Sequence, residues 1–406
     1  MGPPIKKNYH NTRDLAERLR KKAAKKKDCK ICLVMIVKNE SAIISRCLDS
    51  LIGVIDCGFI LDTGSTDDTV NIISEWSKKN GIEIGIEVEE FINFAISRTR
   101  SYQLGRKNYP DVNYYMLSDA DFLWVKGEKF DKNELYKDKY DILQVNGNVS
   151  YHNPRLLSRK IDWQCVGVTH EYWTNKEDDG AVNSGDLEKE FLFIDDINDG
   201  GCKSDKFTRD YRLLTGALND PGTKMKLKTR YYFYLSETCK NMGKYEEAIE
   251  NYKKRISLKG WYEEVFYSHW MVGTCYKYLY EREENQEKRN EYFNLAVEGL
   301  NKAANFHRGR SESLHTLTRL YSECGDNLNA YNTAKRGVII KIPHNDKLFI
   351  EYKVYKYLFH HELAYACKKL GKDEEGEKEY RYCLTVEDYP QNLRGELEQL
   401  GYGTKE

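Results

Sequence analysis

Nowhere in the 406 residues is there an apolar run of about 18, the length that reads as a bilayer-spanning helix. No membrane span is therefore expected. The N-terminus lacks the apolar core of a secretory signal, and Met1-Gly2-Pro3-Pro4 does not continue into a myristoylation motif. Net charge is missing too. Lys plus Arg and Asp plus Glu stand at 64 each, which argues against a whole-chain electrostatic footprint for nucleic acid. Cys29 and Cys32 form a C-x-x-C, but no second pair at zinc spacing follows. The 11 cysteines, an odd number, instead read as reduced, mostly buried thiols of a cytoplasmic protein. Neither G-x-G-x-x-G nor a P-loop follows the first strand-like run, so no glycine-rich phosphate cradle is expected. An EF-hand over Asp195 to Lys206 fails, because Ile197 takes a ligand position and Lys206 stands where the closing acid belongs.

What is present describes a globular chain of two or three domains, 40% hydrophobic and 32% charged. Residues 1–28 form a basic leader ending in Arg18-Leu19-Arg20-Lys21-Lys22-Ala23-Ala24-Lys25-Lys26-Lys27. It is either an arm for nucleic acid or anionic membrane, or a solvated, partly helical segment.

From Lys30, strands and helices alternate. Ile31 to Val37 reads as a central parallel strand buried on both faces. An amphipathic segment from Ile43 to Leu51 follows, then a short strand at Phe59-Ile60-Leu61. Asp62 to Thr69 is a turn in which Ser65 or Thr66 can cap a helix bearing Val70, Ile73 and Trp76. Ile82 to Val88 is a third strand, Phe91 to Leu104 a helix, and Val112 to Leu117 a fourth strand. Further strands are expected at Tyr140 to Val145, Arg155 to Leu157 and Phe191 to Ile194. This order calls for a mostly parallel α/β sheet of Rossmann-like type over residues 29–204.

Residues 205–406 read as all-α. Leu235, Cys239, Gly243, Tyr245, Ala248 and Tyr252 fall at the positions of a tetratricopeptide unit. The offsets return at Leu317 to Ala334 and at Leu363 to Tyr380. Another unit opens at Val272-Gly273 and is interrupted by the charged stretch Glu281 to Arg289. About four stacked helix pairs are expected, with most tyrosines filling the space between them.

Acid-bearing turns fall at the carboxyl ends of the strands: Asp62, then Asp119 with Asp121, then the Glu171 and Asp199 region. That is the edge where open α/β sheets bind ligands. Carboxylates there suit Mn²⁺ or Mg²⁺ bridging a diphosphate.

Together these stretches carry a resemblance. Val34 to Glu40, Leu61 to Thr69 and Leu117-Ser118-Asp119-Ala120-Asp121 resemble, in order, the signatures of family-2 glycosyltransferases with the GT-A fold. Phe94 to Arg98 (F-x-x-x-R) and Gly167 to Glu171 (G-x-x-H-E) resemble the branch fused to tetratricopeptide repeats. The resemblance implies an inverting, metal-dependent transfer from a nucleotide-sugar, UDP-sugar foremost. The acceptor, whether glycan, protein or another molecule, is unidentified. Asp62 would bind the nucleobase, with Val37, Asn39, Glu40 and Ser65 lining that pocket. Asp119 would face ribose and metal, Asp121 would be the main metal ligand, and Arg98 would lie by the diphosphate or donor sugar. Glu171 would be the general base, with Asp199 competing, and His170 would complete the metal shell or touch the phosphates. Relatives often carry a second acid where Thr63 stands and Glu where Phe122 stands. Lys203, Lys206 and Arg209 either close over the diphosphate or form a solvated face.

The repeats would recruit the acceptor or form a homodimer. Two other readings stand beside this one. One is an inactive GT-A and repeat scaffold that binds proteins, against which both acids of the D-x-D speak. The other is a nucleotidyltransferase, which would need a basic, glycine-rich segment where Val37-Lys38-Asn39-Glu40 stands.

Overall fold

A computed structural model describes residues 28–147, 149–177, 181–201 and 205–403, with Val149 as backbone only. The basic leader, save Asp28, and Lys203 lie outside the described residues. The chain divides into two compact units, Met1–Lys206 and Phe207–Glu406.

In the first unit β1 (Ile31–Val37), α1 (Ile44–Ser50), β2 (Cys57–Asp62), α2 (Thr69–Asn80), β3 (Glu83–Val88), α3 (Phe94–Asn108) and β4 (Tyr114–Ser118) follow one another. Next come β5 (Phe122–Lys126), β6 (Lys139–Asn146), β7 (Val149–Ser158), β8 (Trp163–Val166), β9 (Tyr172–Asn175), β10 (Ser184–Leu187) and β11 (Leu192–Asp196). The sheet runs β3-β2-β1-β4-β7-β6-β11-β5, with β10 also on β6. β3, β2, β1 and β4 are parallel, so their carboxyl ends share one edge. β7 enters antiparallel to both β4 and β6. The sheet is thus mostly parallel, as the alternation predicts, with an antiparallel strand at its centre.

Side-chain alternation gives β1 two cores. Ile31, Leu33, Met35 and Val37 pack with Ile44, Leu48 and Trp76, while Cys32 and Val34 pack with Tyr102, Tyr115 and Trp163. Burying each such side chain contributes about 1.5–3 kcal/mol, which makes β1 the fixed axis on which the loops after it are aimed. Two helix starts differ from the sequence reading. α3 begins at Phe94 because the Asn93 carboxamide accepts from the Ile96 N–H at 2.9 Å. Neither Ser65 nor Thr66 caps α2, whose N-cap is Asp68. β5 and the separate β8–β9 hairpin have no counterpart among the strands expected from the sequence.

The second unit contains α4 (Lys206–Asn219), α5 (Met225–Asn241), α6 (Tyr245–Ser257), α7 (Tyr262–Arg282), α8 (Gln286–Phe306), α9 (Glu312–Glu323) and α10 (Asn327–Gly337). It ends with α11 (Phe359–Lys369), α12 (Asp373–Leu384) and α13 (Gln391–Gln399). Consecutive helices pack as hairpins, α5 on α6, α7 on α8, α9 on α10 and α11 on α12. The charged stretch after Glu281 is absorbed, because α7 runs to Arg282 and α8 restarts at Gln286, each helix being 21 residues long. Tyr231, Tyr252, Tyr267, Tyr357, Tyr380 and Tyr402 are buried between helices. No described helix is long and apolar enough to cross a membrane.

α7 and α8 cross at two glycines. A Cβ on Gly273 would lie 2.7 Å from the Leu300 backbone nitrogen, and one on Gly299 would lie 2.8 Å from the Gly273 Cα. Backbone cannot yield as a side chain can. Gly273→Ala is therefore expected to destabilise the chain by about 2 kcal/mol, read as a lower urea midpoint. An unchanged midpoint would mean that the helices can part at no cost.

Candidate active site

β2 carries Asp62 to the ligand edge and buries it to 1% exposure. Its Oδ1 accepts the Gly64 and Ser65 N–H groups at 2.9 and 2.8 Å, while Oδ2 is buried and, among the described residues, has no hydrogen-bond partner. Thr63, where an acid is common in the resembling family, ties β2 to β1 instead. Its N–H and hydroxyl both donate to the Val37 carbonyl, at 2.8 and 3.0 Å.

The loop after β1 is laced to the loop after β2. The Asn39 N–H donates to Ser65 Oγ at 2.9 Å, and Asn39 Oδ1 accepts the Thr66 N–H at 2.7 Å. The Glu40 N–H donates to Thr69 Oγ1 at 2.8 Å, and the Ser41 N–H to Asp67 Oδ2 at 3.1 Å. Asn39 sits at φ 56, a left-handed backbone that the lacing holds in place. Ser65 and Thr66 therefore serve this brace rather than a helix cap. Asp67 joins the brace without having stood out in the sequence. Burial pushes its pKa up, but the bonds from Ser41 and Thr69 together outweigh that and hold it at about 2.

A pH dependence follows. Because the folded value lies below the unfolded one, the Asp67 contribution is complete above about pH 4 and disappears as pH falls toward about 2. The group is exposed, so we expect less than about 1 kcal/mol. Acid titration of thermal stability should show this increment in wild type and not in Asp67→Asn. Parallel curves for the two proteins would contradict it.

Asp119 stands just beyond β4 between two guanidinium groups. Arg98 Nη2 donates to its Oδ1 at 2.6 Å, and Arg155 Nη1 donates to Oδ2 at 3.2 Å. Burial pushes the Asp119 pKa up, but Arg98 and then Arg155 outweigh it and leave the carboxyl below its ordinary value. Arg98 Nε also lies 2.6 Å from Glu171 Oε1, an ion pair whose angle is poor for a hydrogen bond. Burial opposes the charge on Arg98, while Asp119 and Glu171 together raise its pKa. α3 thus supplies one arginine that joins the D-x-D to the G-x-x-H-E turn. That turn does not follow a strand of the main sheet, contrary to the sequence expectation. It links β8 to β9, and α3 positions it through Phe94 N–H to Val168 O and Cys165 N–H to Thr99 Oγ1. Gly167 at φ 115 and His170 at φ 50 form its bend.

Arg155 reads in the sequence only as part of a strand. The β4–β7 ladder ends at Met116–Leu156, so the next residue of β7 continues toward Asp119. Arg155 also donates to Gln144 at 3.1 Å and lies over the Phe122 ring at 4.5 Å. This stacking gives the phenylalanine after the D-x-D a role that a glutamate could not fill.

Asp121 lies beneath the loop that follows β11. A Cβ at Gly200 would come within 3.3 Å of Asp121 Oδ2 and 3.6 Å of Glu40 Oε1, so those two carboxylates flank one spot. Glu40 Oε2 accepts the Gly201 N–H at 3.1 Å. Burial raises the Glu40 pKa and the charge of Asp121 adds to that, while the Gly201 bond opposes it. Asp199 is held by Arg46 through two bonds of 2.8 and 2.7 Å. Among the described residues no three His, Cys, Asp or Glu side chains converge as a metal cage, so Asp119, Asp121 and His170 are not gathered into one.

A family model described as Glycosyl transferase family 2 matches residues 32–163, the span that carries β1 through the start of β8. Those residues form a glycosyltransferase family 2 domain. Two relatives named as uncharacterized glycosyltransferases resemble this chain. One from Rickettsia felis is 24% identical over 250 residues, covering 59% of this chain and 79% of the relative. One from Rickettsia conorii is 22% identical over the same shares. Among solved structures, a thermophilic TPR protein of Thermus thermophilus covers 48% of this chain and 90% of its own at TM-score 0.35 and 16% identity. MamA covers 45% and 89% at TM-score 0.33 and 17% identity. In the glycosyltransferase domain, Asp62, Asp119, Asp121 and Glu40 all sit at the edge where the parallel strands end.

Proposed function

We propose that the glycosyltransferase domain moves a sugar from a nucleotide-sugar, a UDP-sugar in the first place, to an acceptor hydroxyl with inversion at the anomeric carbon. The observation that carries this reading is Asp62. One of its oxygens is committed to the loop, and the other is buried with no partner among the described residues. An orphaned buried carboxylate oxygen is costly, and the imide N–H of a uracil ring would satisfy it. Val37, Asn39, Glu40 and Ser65 hold the two loops around that position.

A divalent cation, Mn²⁺ or Mg²⁺, fits the acids present, since such ions bind through one or two carboxylates plus substrate phosphates and water. Asp121 would be its ligand, with Glu40 beside it, and the ion would neutralise the departing diphosphate. Asp119, already matched by Arg98 and Arg155, is better suited to accept ribose hydroxyls and to hold those guanidinium groups by the phosphates. His170, in the bend next to Glu171, would reach phosphate or metal.

Glu171 is the favoured general base. It would take the acceptor's proton as the acceptor oxygen bonds to the anomeric carbon. The bond from that carbon to the diphosphate breaks on the opposite face, and its electron pair leaves with the nucleoside diphosphate. Arg98 would fix the position of Glu171. Asp199 is the weaker candidate for the same role because Arg46 occupies both its oxygens. The helical unit would recruit the acceptor or pair two copies. Incubation with a panel of nucleotide-sugars should release nucleoside diphosphate from one donor, and chelation should stop it. Release from no donor, with or without glycan, peptide or nucleic-acid acceptors, would sink this reading.

A further inference from the structure

β7 runs past the end of β4. Their ladder sets Met116 opposite Leu156, so the residues before Leu156 continue beyond Ser118 toward the ligand edge. On the other side of β7, Tyr151 stands opposite Gln144 of β6.

Gln144 is buried to 3% exposure, and its carboxamide uses every hydrogen-bonding position it has. Oε1 accepts from Arg155 Nη2 at 3.1 Å and from Asn153 Nδ2 at 3.2 Å. Nε2 donates to Asp196 Oδ2 at 2.8 Å and to Tyr151 Oη at 3.1 Å. The amide can sit only this way round, because a guanidinium only donates and an ionised carboxylate only accepts.

The consequence falls on Tyr151. Its oxygen accepts from Gln144, so its own hydrogen must go elsewhere, and among the described residues no acceptor takes it. Tyr151 is 42% exposed, so a ligand can reach it. Burial of the hydroxyl raises its pKa, and so do Asp196, Asp119 and Asp121, with Arg155 opposing. The phenol therefore keeps its hydrogen at neutral pH, and it stands in the field of the D-x-D acids.

The position lies on the sugar side of the site. Neighbouring strands in the order β2-β1-β4-β7 are about 4.8 Å apart. Asp62 on β2 and Asp119 beyond β4 are thus separated by about 10 Å across the sheet, and β7 lies about 5 Å further on. A nucleotide-sugar with its base at Asp62 and its diphosphate at the D-x-D carries its sugar onward toward β7.

Tyr151 Oη and Asp196 Oδ2 share the Gln144 nitrogen, so one small group can touch both. That group must accept from a phenol and donate to a carboxylate. A hydroxyl does both. A phosphate oxygen only accepts and would meet the charge of Asp196, while an ammonium only donates and would leave the phenol unmatched.

We propose that Tyr151 and Asp196 form the subsite for one hydroxyl of the transferred sugar and so help to select the donor. Tyr151 donates to the hydroxyl oxygen, and Asp196 accepts the hydroxyl hydrogen. The inference rests on the donor-site reading above and adds to it the groups that read the sugar.

The test titrates the full chain by calorimetry with UDP, UDP-glucose, UDP-galactose and UDP-N-acetylglucosamine, each with Mn²⁺. Y151F keeps the ring and removes only the hydroxyl. It should leave UDP affinity within about twofold of wild type and weaken the tightest-bound sugar nucleotide about fivefold. The spread among the three sugar nucleotides should narrow as well, because an unmatched polar pair is what rejects the wrong sugar. Equal weakening of UDP and the sugar nucleotide in Y151F would overturn the proposal, since the hydroxyl would then act on the diphosphate or on the fold. Unchanged affinity for all three sugar nucleotides would overturn it too. A wild-type chain that binds no UDP would instead remove the donor-site reading, and this inference with it.

Discussion

Asp121→Ala is expected to lower nucleoside diphosphate release by about three orders of magnitude, because a metal clamp on a leaving diphosphate supplies several kcal/mol of charge stabilisation. The fold should survive the change. Asp121 sits at the mouth of the sheet, where the Glu40 carboxylate flanks the same spot and its charge opposes that of Asp121. Unchanged thermal stability with lost turnover is therefore the predicted pair of results. Activity within tenfold of wild type would remove Asp121 from the metal role. Asp119→Ala should behave differently, since it removes a carboxylate from both Arg98 and Arg155, and stability should fall along with activity.

Arg98→Ala is expected to cost about 2–3 kcal/mol of folding stability and to abolish transfer. The cost is lower than for a fully buried pair because Arg98, Asp119 and Glu171 retain 17%, 26% and 17% side-chain exposure. Removing the guanidinium takes the cation from Glu171 and leaves Asp119 with Arg155 alone, and it frees the G-x-x-H-E turn from the D-x-D. Arg98→Lys should recover part of the stability and little of the turnover. One ammonium cannot meet Asp119 and Glu171 with the geometry of a planar fork. Urea denaturation and donor turnover read the two effects separately. An Arg98→Ala protein as stable as wild type would show that the bridge contributes nothing to the fold.

The parallel half of the sheet was legible because a strand buried on both faces writes itself as a continuous apolar run, as Ile31 to Val37 and Tyr114 to Leu117 do. The acids were legible because each follows such a run. Arg155 was not, since it opens an apolar triplet and its contact with Asp119 depends on β7 entering antiparallel beside β4. The Glu171 turn was placed on the wrong kind of strand. Nothing in the residues around Trp163 and Tyr172 distinguishes a separate hairpin from another strand of the main sheet. Ser65 and Thr66 had the chemistry of helix caps, yet Asn39 outcompetes α2 for both, a partnership between loops 26 and 27 residues apart.

Equilibrium binding of UDP, titrated by calorimetry with Mn²⁺ and again with chelator, is the most direct test of the site. The predicted result is binding that requires the metal, is lost in Asp121→Ala, and is weakened in Asp62→Ala. Equal affinity for UDP in chelator, or no binding with Mn²⁺ present, would contradict a donor site built on Asp62 and Asp121.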